Sequence, residues 1–283
     1  MAIEIKEILS KKILSEATGY LDVGFTHSLN PYSGCAFACK YCYVREMPIQ
    51  RFREIPWGEW VDVKTNAAEN YRKEVATLRR KGKPVNLFMS SATDPYQPIE
   101  RKAEITRAIL QTMTENPPDF LQVQTRSPLV SRDIDLLAKL TEQCEVLVSM
   151  TVETDREDVK RIFAPHAPGI QLRLKALKDV RDAGIATQAA ISPVLPFTPD
   201  FPKLLDGAAD RIWIDTLSIG DGMMGKRSAR LGMPGLFKEN ELSDWYEPNI
   251  HLKVEKYFKR FYPEGTVYVS KEEAYPPGGK ERT

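Results

Sequence analysis

Apolar positions through the middle of the chain switch repeatedly between two periods. Short runs of β-branched and aliphatic residues alternate with longer stretches whose apolar side chains recur every three or four positions. Residues 23–29 read as a first strand and residues 66–81 as a helix, closed by Gly82 and Pro84. Residues 85–90 form a second strand, and residues 99–114 a helix broken by Pro117 and Pro118. Alternation of apolar and polar residues over 120–125 gives a third strand. Residues 131–143 predict a helix with Ser131 as N-cap and Asp133 in its first turn. Residues 145–152 are a fourth strand, 170–183 a helix ended by Gly184, 185–191 a fifth strand and 211–219 a sixth. An amphipathic helix over 249–261 and a short strand over 266–269 follow.

Strands and helices in series, with several nearly continuous apolar strands, predict a parallel sheet wrapped by right-handed crossovers. A complete eightfold barrel takes about 250 residues. The span 22–220 suits six units, so the expected fold is α/β: a partial (β/α)6 TIM-like barrel with a C-terminal helical/strand extension. The barrel and its N-terminal lead take residues 1–220, and the extension, residues 221–283, covers the barrel. The segment 276–280 is expected to be disordered.

Composition narrows the class. Hydrophobic residues make up 42% of 283, enough for a full core, and a formal net charge of +1 gives no global argument for nucleic acid or membrane binding. No apolar stretch reaches a membrane span, and the N-terminus carries acids where a signal peptide has its apolar core. A cytoplasmic protein with no membrane partner is the expectation. The run Arg79-Arg80-Lys81-Gly82-Lys83 reads either as a nucleic-acid contact or as the solvated, dipole-favoured end of a helix.

Candidate chemistry concentrates in one loop. Cys35, Cys39 and Cys42 fall within eight residues, and the only other cysteine is Cys144. Three thiolates there can hold three irons of a [4Fe–4S] cube and leave the fourth iron without a protein ligand. Zinc is the competing reading. A closed zinc site takes four ligands, and His27, His166 and His251 offer no paired spacing. The loop follows the first strand, which places it at the C-terminal face of the sheet, where parallel α/β folds carry active sites. Phe37, Tyr41 and Tyr43 shield a cluster from water or pack ordinarily. Trp57 and Trp60 stack on a base, line a lid or pack.

The Cys-x3-Cys-x2-Cys run, with its Asn30-Pro31-Tyr32 lead and Cys42-Tyr43 step ahead of six strand–helix units, resembles the radical S-adenosylmethionine (SAM) superfamily over about residues 20–220. Within it, the run from Ser90 to Pro98 and the segment Thr125-Arg126-Ser127-Pro128 are similar to the branch related to spore photoproduct lyase. The resemblance implies a radical SAM enzyme of lyase or oxidoreductase type. It would cleave SAM reductively at a [4Fe–4S] cluster and abstract hydrogen from a nucleoside, nucleic acid or peptide. A reductant such as flavodoxin or ferredoxin would supply the electron.

Residue by residue, the resemblance makes Cys35, Cys39 and Cys42 the cluster ligands and Tyr41 an adenine contact. It places Ser90, Ser91, Thr93 and Asp94 at the methionine amino group, where Asp94 otherwise serves as a turn residue before Pro95. Ser149, Thr151 and Glu153 fall at the ribose, with Glu153 foremost. Arg173 falls at the SAM carboxylate or is a solvated helix arginine. Gln188 and Ser192 are further cofactor candidates, Arg126 faces substrate, and no catalytic residue is assigned. One departure stands out. Spore photoproduct lyases carry a hydrogen-donating cysteine near the end of the second strand, where this chain has Ser91. Cys144 precedes the fourth strand, at the opposite face, so photoproduct repair is disfavoured. The alternative function is an iron–sulfur electron-transfer or sensing protein without SAM chemistry; a zinc-stabilised binding module is the third reading.

Overall fold

The computed structural model describes residues 3–22 and 24–270. In chain order the strands are β1 (Glu4–Ile8), β2 (Leu14–Glu16), β3 (His27–Leu29), β4 (Tyr32–Ser33), β5 (Trp60–Lys64), β6 (Asn86–Met89), β7 (Phe120–Thr125), β8 (Glu145–Thr151), β9 (Ala186–Ile191), β10 (Arg211–Ile214) and β11 (Val267–Val269). Eight of them form one sheet in the order β11-β10-β9-β8-β7-β6-β3-β2. From β3 to β11 every pairing is parallel, and only the edge strand β2 runs antiparallel to its neighbour. This is a partial α/β barrel, with the helices supplying the crossovers. A separate sheet, β1-β5-β4, flanks the cysteine loop.

The two faces of the barrel sheet differ in chemistry. Leu87, Met89, Leu121, Val123, Val146, Val148, Met150 and Ile212 face the helices and join Val75, Ile109, Leu137, Leu174 and Leu177 in one apolar core. Burying each such side chain contributes about 1.5–3 kcal/mol. The alternate positions turn inward. Three of them, Phe88, Phe120 and Leu147, form an apolar plug with Leu21 and Phe25 from the segment before β3. Other inward positions are polar, and Gln122, Gln124, Thr151 and Gln188 line a cavity.

Several boundaries differ from the pattern's expectation. The first strand covers only His27–Leu29. The sixth ends at Ile214, because the Thr216 hydroxyl accepts the Ile219 N–H (3.2 Å) and starts a helical turn, Leu217–Gly220. The helix expected over 99–114 splits at Glu104, which has φ +50°. The buried Glu100 carboxylate accepts the N–H groups of Thr106 (2.9 Å) and Arg107 (3.2 Å) and so caps the second piece. Ser131 is not an N-cap. Ser127 caps a 3-10 turn, Pro128–Asp133, ahead of the helix Ile134–Thr141, and the Ser131 hydroxyl is buried without a partner. Asp133 is fully buried between Arg107 (2.7 Å) and Arg132 (2.8 Å). Arg79 is held by Asp119 at 2.8 Å. The segment 276–280 and Val23 lie outside the described residues.

The last described strand joins the same sheet. β11 pairs in parallel with β10, Ile212 opposite Val267. The helix Ile250–Phe258 buries Ile250, Val254 and Phe258 in the main core. The helix Met233–Glu239 instead packs Met233 and Phe237 beside the cysteine loop.

Candidate active site

The cysteine loop runs from β4 into a 3-10 turn, Tyr43–Glu46. Two local turns shape it: the Ala38 N–H donates to the Cys35 carbonyl (3.3 Å) and the Cys42 N–H to the Cys39 carbonyl (3.1 Å). Gly34 has φ +79°, and a Cβ there would lie 2.4 Å from the Trp60 carbonyl oxygen. A left-handed non-glycine residue costs about 1–2 kcal/mol before any clash. Gly34→Ala is therefore expected to lower stability by at least about 2 kcal/mol in urea unfolding, a larger loss than at an open glycine such as Gly82.

Gln97, fully buried, ties this loop to the one after β6. Its side-chain carbonyl accepts the Ala36 N–H (2.9 Å), and its amide donates to the Gly34 carbonyl (3.2 Å) and the Thr93 hydroxyl (3.1 Å). Thr93 itself donates to the Gly34 carbonyl at 2.6 Å. The Tyr43 hydroxyl donates to the Ser91 carbonyl (2.5 Å), and Asn30 accepts the Ala92 N–H (2.9 Å).

All four described cysteines are free thiols. Cys39 is buried among Phe37, Phe163 and Phe237, while the half-buried Cys35 and Cys42 pack against Trp57 and Val44. Phe37 is buried in the same apolar cluster as Cys39. Cys35, Cys39 and Cys42 line one cavity with Tyr41, Ser90, Ser91, Thr93, Asp94, Arg126, Thr151, Gln188 and Ser192. Burial pushes all three thiols up, Cys42 to about 12 with Cys39 beside it, so a cation must take up their charge for thiolates to form.

The loop after β6 is strained where it meets the cavity. Ser90 has φ +77°, and its hydroxyl is buried without a partner. Asp94 is held internally: its oxygens accept from the Thr125 hydroxyl (2.8 Å), the Tyr96 N–H (2.9 Å) and the Arg126 N–H (2.8 Å). Burial raises its carboxyl pKa against the pull of those hydrogen bonds. The turn role is thus in place, with the carboxylate still on the cavity wall.

Glu153 stands beyond the end of β8 and is fully buried. It accepts from the Tyr41 hydroxyl (2.8 Å), Arg126 (3.1 Å) and Arg173 (2.6 Å). Burial alone would raise its pKa; Arg173 and Arg126 outweigh it and hold the carboxyl at about 2. Arg173 is fully buried and also donates to the Thr151 carbonyl (2.9 Å), with its Nε and second Nη unpartnered. The solvated helix reading of Arg173 is corrected, because helix Ile170–Asp182 turns Ile170, Arg173, Leu174 and Leu177 to its buried side. Neither Glu153 nor Arg173 lines the cavity. Arg126 does, donating to the Tyr41 hydroxyl at 2.8 Å.

Deeper in the barrel, amides form a ladder. Gln122 donates to Gln124 (3.3 Å), Gln124 to the Thr151 hydroxyl (2.9 Å), Arg211 to Gln188 (2.8 Å) and Gln188 to Ser149 (2.7 Å). Ser149 is fully buried behind this ladder. The Gln122 side-chain carbonyl is buried without a partner. Sequence reasoning passed over Gln122, Gln124 and Gln97. Alternation along the third strand sets the first two on one face, and Gln97 lies within the run Ser90–Pro98 without a signal of its own.

Among the described residues, no histidine lines the cavity and no three His, Cys, Asp or Glu side chains gather as ligands of a single metal ion. Free thiols on one side, and the unpartnered Ser90, Gln122 and Trp57 polar atoms around the same cavity, suit a sulfur-ligated group with a polar molecule beside it. Cys144 precedes β8 and packs against the main core, away from this cavity.

Comparison with known proteins gives consistent results. The model of the radical SAM superfamily matches residues 29–206. An uncharacterised protein of Methanocaldococcus jannaschii is 35% identical over 194 residues, 69% of each chain. A protein of Pseudomonas phage M6, named a radical SAM Nα-GlyT isomerase, is 29% identical over 168 residues, 59% of this chain and 32% of its own length. Among solved structures, a spore photoproduct lyase variant with bound AdoMet and dinucleoside spore photoproduct superposes with a TM-score of 0.65 at 13% identity. That superposition covers 94% of this chain and 81% of the other. Among the described residues no helix is long and apolar enough to cross a membrane.

Proposed function

The chain belongs to the radical SAM superfamily, and from that premise we propose that it binds a [4Fe–4S] cluster through Cys35, Cys39 and Cys42 and cleaves SAM reductively to abstract hydrogen from a substrate. The observation that carries the reading is the convergence of three free thiols on a cavity rimmed by polar strand ends. When bound, the cluster held by Cys35, Cys39 and Cys42 would supply the one-electron reduction that SAM cleavage requires.

The chain's own residues divide the remaining work. Ser90, Ser91, Thr93 and Asp94 face the methionine amino group, with the strained Ser90 hydroxyl free to meet it. Arg126 is the cavity-facing cation for the SAM carboxylate, and Arg173 holds Glu153 behind it. Tyr41 flanks the adenine, and Thr151 and Gln188 meet the ribose or the substrate. Glu153 sets Tyr41 and Arg126 in place. A protein reductant such as flavodoxin or ferredoxin supplies the electron. The substrate is a nucleoside, nucleic acid or peptide. Among the described residues Arg126 is the one Lys, Arg or His that lines the cavity.

Anaerobic reconstitution followed by SAM and dithionite tests this reading. Mass spectrometry is expected to detect 5′-deoxyadenosine. A redox-active cluster whose spectrum ignores SAM, with no 5′-deoxyadenosine, would establish electron transfer or sensing instead. Zinc in place of iron would establish a structural metal site.

A further inference from the structure

We propose that the Trp57 indole N–H donates a hydrogen bond to sulfur of the iron–sulfur cluster and raises its reduction potential. The inference rests on the cluster reading above and assigns a residue of this chain to tuning it.

Three observations place the donor. Trp57 is 8% exposed, and its Nε1 is buried without a partner. An indole N–H can only donate, so an acceptor must come from something bound. The ring packs in one small cluster with Cys35, Cys42, Val44 and Tyr43, on the wall of the thiol-lined cavity. Gly58, the next residue, has φ +99°, and a Cβ there would lie 2.4 Å from the Ala38 Cβ, so this segment is pressed onto the cysteine loop itself.

The neighbouring tryptophan supplies the contrast. Trp60 meets Trp57 edge to face, with ring centroids 6.0 Å apart. Its own Nε1 donates to Gln50 at 2.9 Å, and the Arg53 guanidinium lies 4.1 Å over its ring. Trp60 is therefore fully satisfied by protein, and Trp57 is the indole left with its donor unspent beside two thiols. Donors to cluster sulfur favour the more negative, reduced state and lift its potential.

The test uses anaerobically reconstituted full-length protein, with tryptophan labelled with 15N in the indole ring, and Trp57→Phe made alike. Pulsed EPR of the reduced cluster, without SAM, is expected to show a 15N coupling in the parent that Trp57→Phe loses. The midpoint potential is expected to move negative in the variant at unchanged iron and sulfide content. Equal potentials without coupling, or coupling that appears only after SAM is added, overturn the proposal. Should Trp57→Phe not fold, Trp57→Leu is read by the same two measurements, and absence of a 15N coupling in the labelled parent overturns the proposal on its own. A parent that takes up no iron overturns the cluster reading, and this tuning role with it.

Discussion

Replacing Cys39 with serine is expected to leave a folded chain that takes up no iron in anaerobic reconstitution and forms no detectable 5′-deoxyadenosine. The thiol is buried with Phe37, Phe163 and Phe237 on one side and has Tyr41 and Arg126 near it. A hydroxyl of similar size fits there at a burial penalty of about 1–3 kcal/mol, which circular dichroism and thermal unfolding would register as a modest loss. The metal chemistry responds differently, because a serine oxygen is a hard ligand where the cluster needs soft thiolate. Cys35→Ser and Cys42→Ser are expected to behave alike, since a cube already short of one protein ligand does not tolerate losing a second. Cys144→Ser is the internal control. That thiol packs with the main core, away from the cavity, and its variant should keep full iron and full turnover. Unchanged iron in all three loop variants would remove the foundation of the proposed function.

The barrel strands could be read from sequence because their outward faces are continuous aliphatic runs packed on helices. Third, fourth and fifth strands fall within a residue of their expected bounds. The edge strand β1 of the flanking sheet carries no such signal. β1 is almost wholly exposed, and its residues, Glu-Ile-Lys-Glu-Ile, carry no buried stripe. The cysteine loop was legible because a soft-ligand run is local. What that loop is tied to was not. The Tyr41–Glu153 bond spans 112 positions, and the Gln97–Ala36 bond 61. Glu153 shows the consequence. Its position near the end of the fourth strand is evident, but its pairing with Arg173, Arg126 and Tyr41 depends on side chains from three other segments. Arg173 carried a clue in its own helix, because the spacing from Ile170 to Leu177 puts it on the apolar stripe.

Glu153→Gln is expected to destabilise the metal-free protein by about 3–5 kcal/mol, because breaking a buried ion pair strands the remaining charge. Arg173 is fully buried, and Glu153 is its one ionic partner among the described residues. For a chain of this size the loss corresponds to a fall in Tm of roughly 5–10 °C. The dependence on pH gives a second signature. The carboxyl titrates at about 2 in the folded protein against an ordinary 4.5. Between those values the unfolded chain is protonated and the folded one is not, so stability rises with pH. The contribution is therefore complete above pH 4.5 and is lost as pH falls toward 2. Urea unfolding across this range should show parent and variant converging at the acid end and separated by a constant gap above it. A Glu153 that acted only on a ribose hydroxyl would leave metal-free stability unchanged and weaken SAM binding alone. Equal unfolding curves at neutral pH would therefore return Glu153 to the ligand and dissolve the positioning role assigned to it here.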